Sequence, residues 1–305
     1  MPLVNGIELT PAARVVYPPF KNGLYMEEYF SQYWNAVEFS CKSDWVYLEV
    51  FWQNVFIAAN FNATVVMRQL SPWIVEVCQD AMKNGKRVFT LVQWDDGLLL
   101  QTEKPDNLHI FSIGGSNRHQ YDKDIPLPLI AEDKTERLLL TRRLPFSERT
   151  TLCSFVGTRT HTLRDAMVNQ LESTPGFEFY TKANWTVNIP ESMMNNFIQV
   201  TSKSRFALAP RGYGNSSFRF FEIMEMGVVP IYVHDDDFGL PYRDILDYSR
   251  FAICIHIRDI ATLPSLLNGI SEEQYSAMLQ EGVSVHNWFT LPGVCDYVLN
   301  YISTM

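Results

Sequence analysis

Residues 205–233, RFALAPRGYGNSSFRFFEIMEMGVVPIYV, decide the fold of this chain. Phe206 to Ala209 are small or apolar and run to Pro210, the pattern of a buried strand at its carboxyl end. Gly212 and Gly214 open backbone conformations closed to other residues and let the chain approach a ligand. Asn215 or Ser216 is the expected N-cap of a following helix, whose first N–H groups then point into the loop. Those donors and the helix dipole favour an anion there. Arg211 and Arg219 add charge-assisted contacts suited to phosphate oxygens. Gly227 ends the helix, and Val228 to Val233 form the returning strand. The stretch predicts a βαβ unit with a diphosphate-sized cradle at its mouth. A lone GxG is weak evidence, because any α/β protein has glycine turns. Polar density decides the matter: Arg211, Asn215, Ser216, Ser217, Arg219 and Glu222 crowd one turn and one helix start.

Working outward, Leu152 to Val156 read as a strand, and Gly157 begins a second loop, GTRTHTLRDAM. Arg159 and Arg164 flank its junction with a helix, so a second anion site follows a strand of the same sheet. The two sites can converge on one diphosphate. Glu222, one turn into its helix, is placed to accept hydrogen bonds from ribose hydroxyls. Phe251 to Ile257 read as a further strand, with helices near Ile260–Leu267 and Glu272–Glu281. In the first half, Tyr47–Trp52, Arg87–Trp94 and His109–Ile113 read as strands. A helix opens at Ser71-Pro72 and stops at Asn84-Gly85. Strand–helix alternation implies parallel sheets with helices on both faces. Pro126, Pro128, Pro145 and the charged run EDKTERLLLTRR place a linker near residues 140–150. The expectation is an α/β chain with two Rossmann-like domains facing across a cleft. Residues 1–145 form the first and 146–285 the second, with 286–305 a helix packing back across both. Ligands of such sheets sit at the carboxyl ends of the strands.

Asp95 and Asp96 end a strand of the first domain at the rim facing that cleft. A carboxylate there suits a general base for an acceptor hydroxyl, provided it can reach the attacking oxygen. The run His234-Asp235-Asp236-Asp237 allows two other readings, a metal-binding DxD or the ribose acid of a dinucleotide site. Against the second, Ser217 stands where the dinucleotide fingerprint needs its third glycine. Against the first, aspartates before FGLP read as a solvated loop, and no metal is expected. The six histidines make no metal spacing.

The chain has 305 residues, 25 basic and 34 acidic, for a net charge of −9. That balance argues against a nucleic-acid binder. No run of 18 apolar residues predicts a membrane span, and the N-terminus lacks a secretory signal, so a cytoplasmic protein is expected. Five scattered cysteines without a CxxC read as reduced core residues.

Ala209-Pro210-Arg211-Gly212-Tyr213-Gly214, Ser217-Phe218-Arg219 with Phe221-Glu222, and Gly227 with Val229-Pro230-Ile231 closely resemble the exostosin family of glycosyltransferases. Leu240-Pro241-Tyr242, Asp247-Tyr248-Ser249 and FAICIHIRDIATLPSLL continue the likeness, and Phe155-Val156-Gly157 with Arg164 is similar to an upstream element. Lys123-Asp124-Ile125-Pro126, Tyr17-Pro18-Pro19-Phe20 and Tyr25–Phe30 add weaker matches. The resemblance spans most of the chain, its specific part being residues 152–270. It implies an inverting transferase of the GT-B type, moving a sugar from a UDP-sugar to a glycan acceptor without an obligatory metal or cofactor. Family precedent favours UDP-xylose; an oligosaccharide or glycoprotein glycan is the implied acceptor. In this arrangement Arg159, Arg164, Arg211, Ser216, Ser217 and Arg219 lie near the diphosphate and Glu222 on the ribose. Most members carry a membrane anchor and stem, which this sequence lacks, as do small members from microbes and large algal viruses. Two other classes stay open: a dinucleotide-dependent oxidoreductase or epimerase, and a non-catalytic glycan- or nucleotide-binding module.

Overall fold

Runs such as Arg87–Val92, RVFTLV, are apolar on both faces, and only a strand covered on both sides can use them. The computed structural model describes residues 3–12, 24–115, 124–130, 144–184, 189–235 and 238–305. A small hairpin, β1 (Leu3–Val4) and β2 (Ile7–Glu8), turns at Asn5-Gly6, where φ is 51° and 81°. Then follow α1 (Met26–Ala36), β3 (Trp45–Tyr47), α2 (Trp52–Ala58) and α3 (Ala63–Lys83). The first sheet is completed by β4 (Arg87–Val92), β5 (Leu108–Ile113) and β6 (Ile125–Leu127). Its order is β3-β4-β5-β6, with every neighbouring pair parallel.

The second sheet begins with β7 (Thr151–Thr158), α4 (Thr162–Leu171), β8 (Phe177–Lys182) and α5 (Glu191–Ser202). It continues with β9 (Ser204–Pro210), α6 (Phe218–Glu225), β10 (Val229–His234) and β11 (Ile253–His256). After these come α7 (Leu263–Asn268), α8 (Glu272–Ser284) and α9 (Leu291–Thr304). The order β11-β10-β9-β7-β8 is parallel throughout and reverses direction between β7 and β9. A reversal of this kind opens the crevice in which doubly wound sheets bind ligands. These are the two Rossmann-like domains expected, and one apolar core runs between them. It joins Phe30, Phe89 and Phe111 of the first half to Phe289, Val294 and Val298. Helix α9 makes the join: Trp45 donates its indole N–H to Ile302 O at 3.0 Å, and Tyr33 donates to Asp296 at 2.6 Å.

Several local readings are corrected. Strand β3 stops at Tyr47, and Trp52 opens α2 instead of ending a strand, its indole N–H bonded to Thr90 at 2.9 Å. Helix α3 does not open at Ser71-Pro72. Asn62 caps it, accepting from Val65 N at 3.2 Å, and Pro72 lies in its interior. The proline removes one backbone donor, and beside it the Ser71 hydroxyl donates to Met67 O at 2.6 Å. Ahead of the expected linker, Ile125–Leu127 form β6, the edge strand of the first sheet. Residues 140–143 of the expected linker lie outside the described residues, as do Tyr17-Pro18-Pro19-Phe20 and Lys123.

Candidate active site

The loop from Arg211 to Ser217 leaves β9 at the point of sheet reversal and enters α6. Ser217, rather than Asn215 or Ser216, is the N-cap, accepting from Arg219 N at 3.3 Å. The φ of −149° at Ser217 supplies the extended entry that a cap requires, one residue later than expected. Ser216 is buried, and its hydroxyl has no partner among the described residues. A shielded hydroxyl at the positive end of a helix is suited to an anionic oxygen.

Arg211 is buried at the centre of the loop. One of its terminal nitrogens sits 3.0 Å from both Asp235 oxygens, and the other donates to Tyr213 O at 3.3 Å. Asp235 follows β10, whose His234 pairs in register with His256 of β11. Arg164 works differently. It donates to Arg211 O and Thr158 O at 2.8 Å each and to Pro210 O at 3.2 Å, stitching β7 to β9 across the reversal. Burial lowers its guanidinium to about 10, aided by the charge of Arg219. A Cβ on Gly212 would come within 3.6 Å of this guanidinium. Arg164 therefore shapes the cradle by holding its backbone.

The other candidates are spread more widely. Gly157 lies inside β7 rather than in the loop after it, where a Cβ would meet Phe155 at 2.9 Å. Arg159 pairs along α4 with Asp165 at 3.7 Å and Glu172 at 3.8 Å. Arg219 lies over the Phe197 ring at 3.8 Å and bonds Glu222 at 3.1 Å, so those two form a unit on the first turns of α6. Burial lowers the Arg219 guanidinium, and Glu222 acts against that shift. Asp236 and Asp237 lie outside the described residues, which leaves the DxD reading there.

The first domain meets this loop directly. A Cβ on Gly214 would fall 2.2 Å from Asp95 Oδ1, so only glycine leaves room for that carboxylate. Tyr213 donates its hydroxyl to Asp96 at 3.3 Å. A Cβ on Gly114, just after β5, would lie 2.9 Å from Ser216 N. Strand ends of the first sheet thus close on the glycine loop of the second. Burial raises the Asp95 carboxyl to about 6, the Asp96 charge adds to it, and Arg211 pulls it back. A carboxylate titrating near 6 is matched to proton abstraction at neutral pH.

Residues outside the sequence-derived set hold these parts in place. Tyr232 donates to Asn215 O at 2.8 Å and accepts from Gly239 N at 3.0 Å. A Cβ on Gly239 would come within 2.4 Å of Asn215 Cβ, so the FGLP segment packs on the glycine loop. A tyrosine hydroxyl inside an apolar strand needs a buried partner, and that need was the readable signal. Replacing Gly239 by Ala is expected to push Asn215 aside and weaken nucleotide binding, measured by titration with UDP, while the far-UV spectrum stays unchanged.

Glu27 of α1 braces the Asp95 turn from behind. It is fully buried, accepting from Gln93 N at 2.6 Å and Gln53 N at 3.0 Å, while Met26 N donates to the Gln93 side chain at 2.6 Å. Burial outweighs those two N–H groups and raises its carboxyl from 4.5 to about 8. A raised carboxyl is harder to ionise folded than unfolded, so its contribution to stability falls as pH climbs from 4.5 to about 8. Glu27→Gln is expected to flatten that part of the stability profile, read from urea midpoints at pH 5 to 8.

Comparison with known proteins places this site in a family. The profile of the exostosin GT47 domain matches residues 76–270, reaching back into α3 and so including Asp95. A probable glycosyltransferase of Arabidopsis thaliana is 29% identical over 163 residues, covering 53% of this chain and 33% of that protein. The Exostosin-1 homolog of Caenorhabditis elegans is 29% identical over 106 residues, covering 34% and 28%. The chain spans about a third of the length of these relatives. Among solved structures, the pneumococcal O-GlcNAc transferase GtfA with UDP and GlcNAc aligns at TM-score 0.38 and 11% identity, over 79% of this chain and 54% of that one. WaaG, a glycosyltransferase of lipopolysaccharide biosynthesis, aligns at TM-score 0.37 and 13% identity, over 72% and 63%. Among the described residues no helix is long and apolar enough to cross a membrane. With two Rossmann-like domains in the GT-B arrangement and a profile match over well more than half of its length, the chain belongs to the exostosin GT47 family of glycosyltransferases.

Proposed function

We propose that this protein transfers a sugar from a UDP-sugar to a saccharide hydroxyl with inversion at the anomeric carbon. The observation that carries the reading is the contact of Asp95 with Gly214, which sets a carboxylate of one domain on the glycine loop of the other. The donor diphosphate would lie at the positive end of α6, held by the Ser216 and Ser217 hydroxyls and Arg211. Glu222 would serve the ribose, fixed in place by Arg219. The acceptor hydroxyl gives its proton to Asp95 as its oxygen bonds to the anomeric carbon. On the opposite face the bond to the diphosphate oxygen breaks, and its electron pair leaves with UDP. Preorganised donors and positive charge aimed at that leaving oxygen supply the main stabilisation of the transition state. In this reading arginine, not a metal ion, balances the leaving charge.

UDP-xylose is the first donor to try, within a panel of UDP-sugars incubated with neutral oligosaccharides. The expected result is release of UDP that depends on an acceptor, with the new linkage opposite in anomeric configuration to the donor. Retention of configuration, or binding of NAD in place of UDP, would overturn the reading.

A further inference from the structure

At the rim of the first domain beside Asp95, an aromatic group extends from the core to the surface. Trp94 packs between Phe56, with ring centroids 5.2 Å apart, and Phe61, stacked at 6.1 Å. Phe61 is 50% exposed. Its backbone has φ of 63°, in the left-handed region where a bulky side chain is strained. The turn between α2 and α3 explains only part of this. Phe61 N bonds Phe56 O at 2.8 Å and Asn60 N bonds Ile57 O at 3.0 Å, a Schellman closure that places Asn60 in the left-handed position. Asparagine suits that position, while Phe61 closes the motif through its amide from a second left-handed position and leaves half of its ring exposed.

Three further observations point to a ligand. The Trp94 indole N–H is shielded from solvent and has no acceptor among the described residues, although buried donors of this kind are normally paired. Asp95 and Asp96 follow Trp94 directly, so the aromatic rim is continuous in the chain with the carboxylates. Tyr213 is 60% exposed, and its hydroxyl reaches Asp96 from the other domain. Flat apolar rings bordered by a few aimed polar groups make up a saccharide site, because sugars offer C–H faces and a fringe of hydroxyls. The two carboxylates also set its charge preference: a uronate would meet like charge.

We propose that Phe61, Trp94 and Tyr213 form the acceptor subsite, taking a neutral saccharide whose ring lies on Phe61 and Trp94 and whose nucleophilic hydroxyl reaches Asp95. This rests on the transferase reading above. The left-handed backbone at Phe61 then serves to present the aromatic face toward the carboxylates.

The test titrates the protein with methyl β-xyloside, methyl β-glucoside, methyl β-galactoside and methyl β-glucuronide, following tryptophan fluorescence and saturation-transfer NMR. Neutral glycosides are expected to bind and the glucuronide to bind more weakly. Phe61→Ala should weaken saccharide binding by about tenfold or more, the loss of one stacked ring, and Phe61→Tyr should restore it. Phe61→Asn should raise the melting temperature, because asparagine fits the left-handed backbone, yet bind saccharide poorly. UDP affinity should be the same in all three variants. Unchanged saccharide binding in Phe61→Ala, or preference for the glucuronide, would refute the subsite. If wild-type protein binds saccharide through Phe61 but never binds UDP, the subsite stands and the transferase reading falls.

Discussion

Replacing Asp95 by Asn is expected to cut sugar transfer by about 10²–10⁴-fold, the usual contribution of a positioned general base, and to leave UDP affinity unchanged. The substitution keeps the shape that Gly214 accommodates, so the glycine loop need not move. What it removes is the proton acceptor. The wild-type pH profile should carry the same signature. Burial holds the Asp95 carboxyl near 6, so kcat/KM should rise with pH through about 6 as the base ionises, then level off. In Asp95→Asn that limb should vanish. Rates measured from pH 5 to 8 with saturating donor check both statements, and full activity in the variant would move the base elsewhere.

Replacing Arg211 by Ala is expected to weaken UDP binding by about two orders of magnitude. The change removes a charge-assisted bond to the diphosphate, worth about 1.5–3 kcal/mol, and leaves behind the carboxylate with which the arginine pairs inside the protein. Here the partner is Asp235, held from 3.0 Å by one guanidinium nitrogen. Without Arg211 that carboxylate would face the incoming diphosphate unopposed. Arg211→Lys should recover little, because an ammonium cannot bond Asp235 and Tyr213 O through separate nitrogens as the fork does. Arg164→Ala should act differently. Its donors are committed to backbone carbonyls of β7 and the loop, so a fall in melting temperature should accompany any loss of binding.

Much of this site was legible in residues 205–233 because strand, glycine loop, cap and returning strand are all local signals. Gly214 and Asp95 illustrate the limit: each was readable as a turn residue, but their contact depends on how two sheets close on each other. The roles of Arg159 and Arg164 were unreadable for the same reason. Both follow one strand, yet one pairs along α4 while the other reaches back to β9. Strand β8 escaped notice because it is an edge strand with exposed positions such as Tyr180, so its apolar run is broken. Ser71-Pro72 imitates a cap inside α3, whose apolar stripe begins at Ala63, so the local signal points to a start that is too late. Glu27 gave no signal at all. Its partners, Gln53 and Gln93, lie 26 and 66 residues away.

The central claim is that the glycine loop and the strand ends facing it grip a nucleotide-sugar diphosphate. Titration of wild-type protein with UDP and with NAD, followed by thermal denaturation, tests it most directly. A ligand at 100 times its Kd adds about 2.7 kcal/mol of stability, worth about 5 °C for a chain of this size. The account predicts a shift of that order with UDP, its loss in Arg211→Ala and its survival in Asp95→Asn. No shift with UDP, or an equal shift in Arg211→Ala, would contradict it.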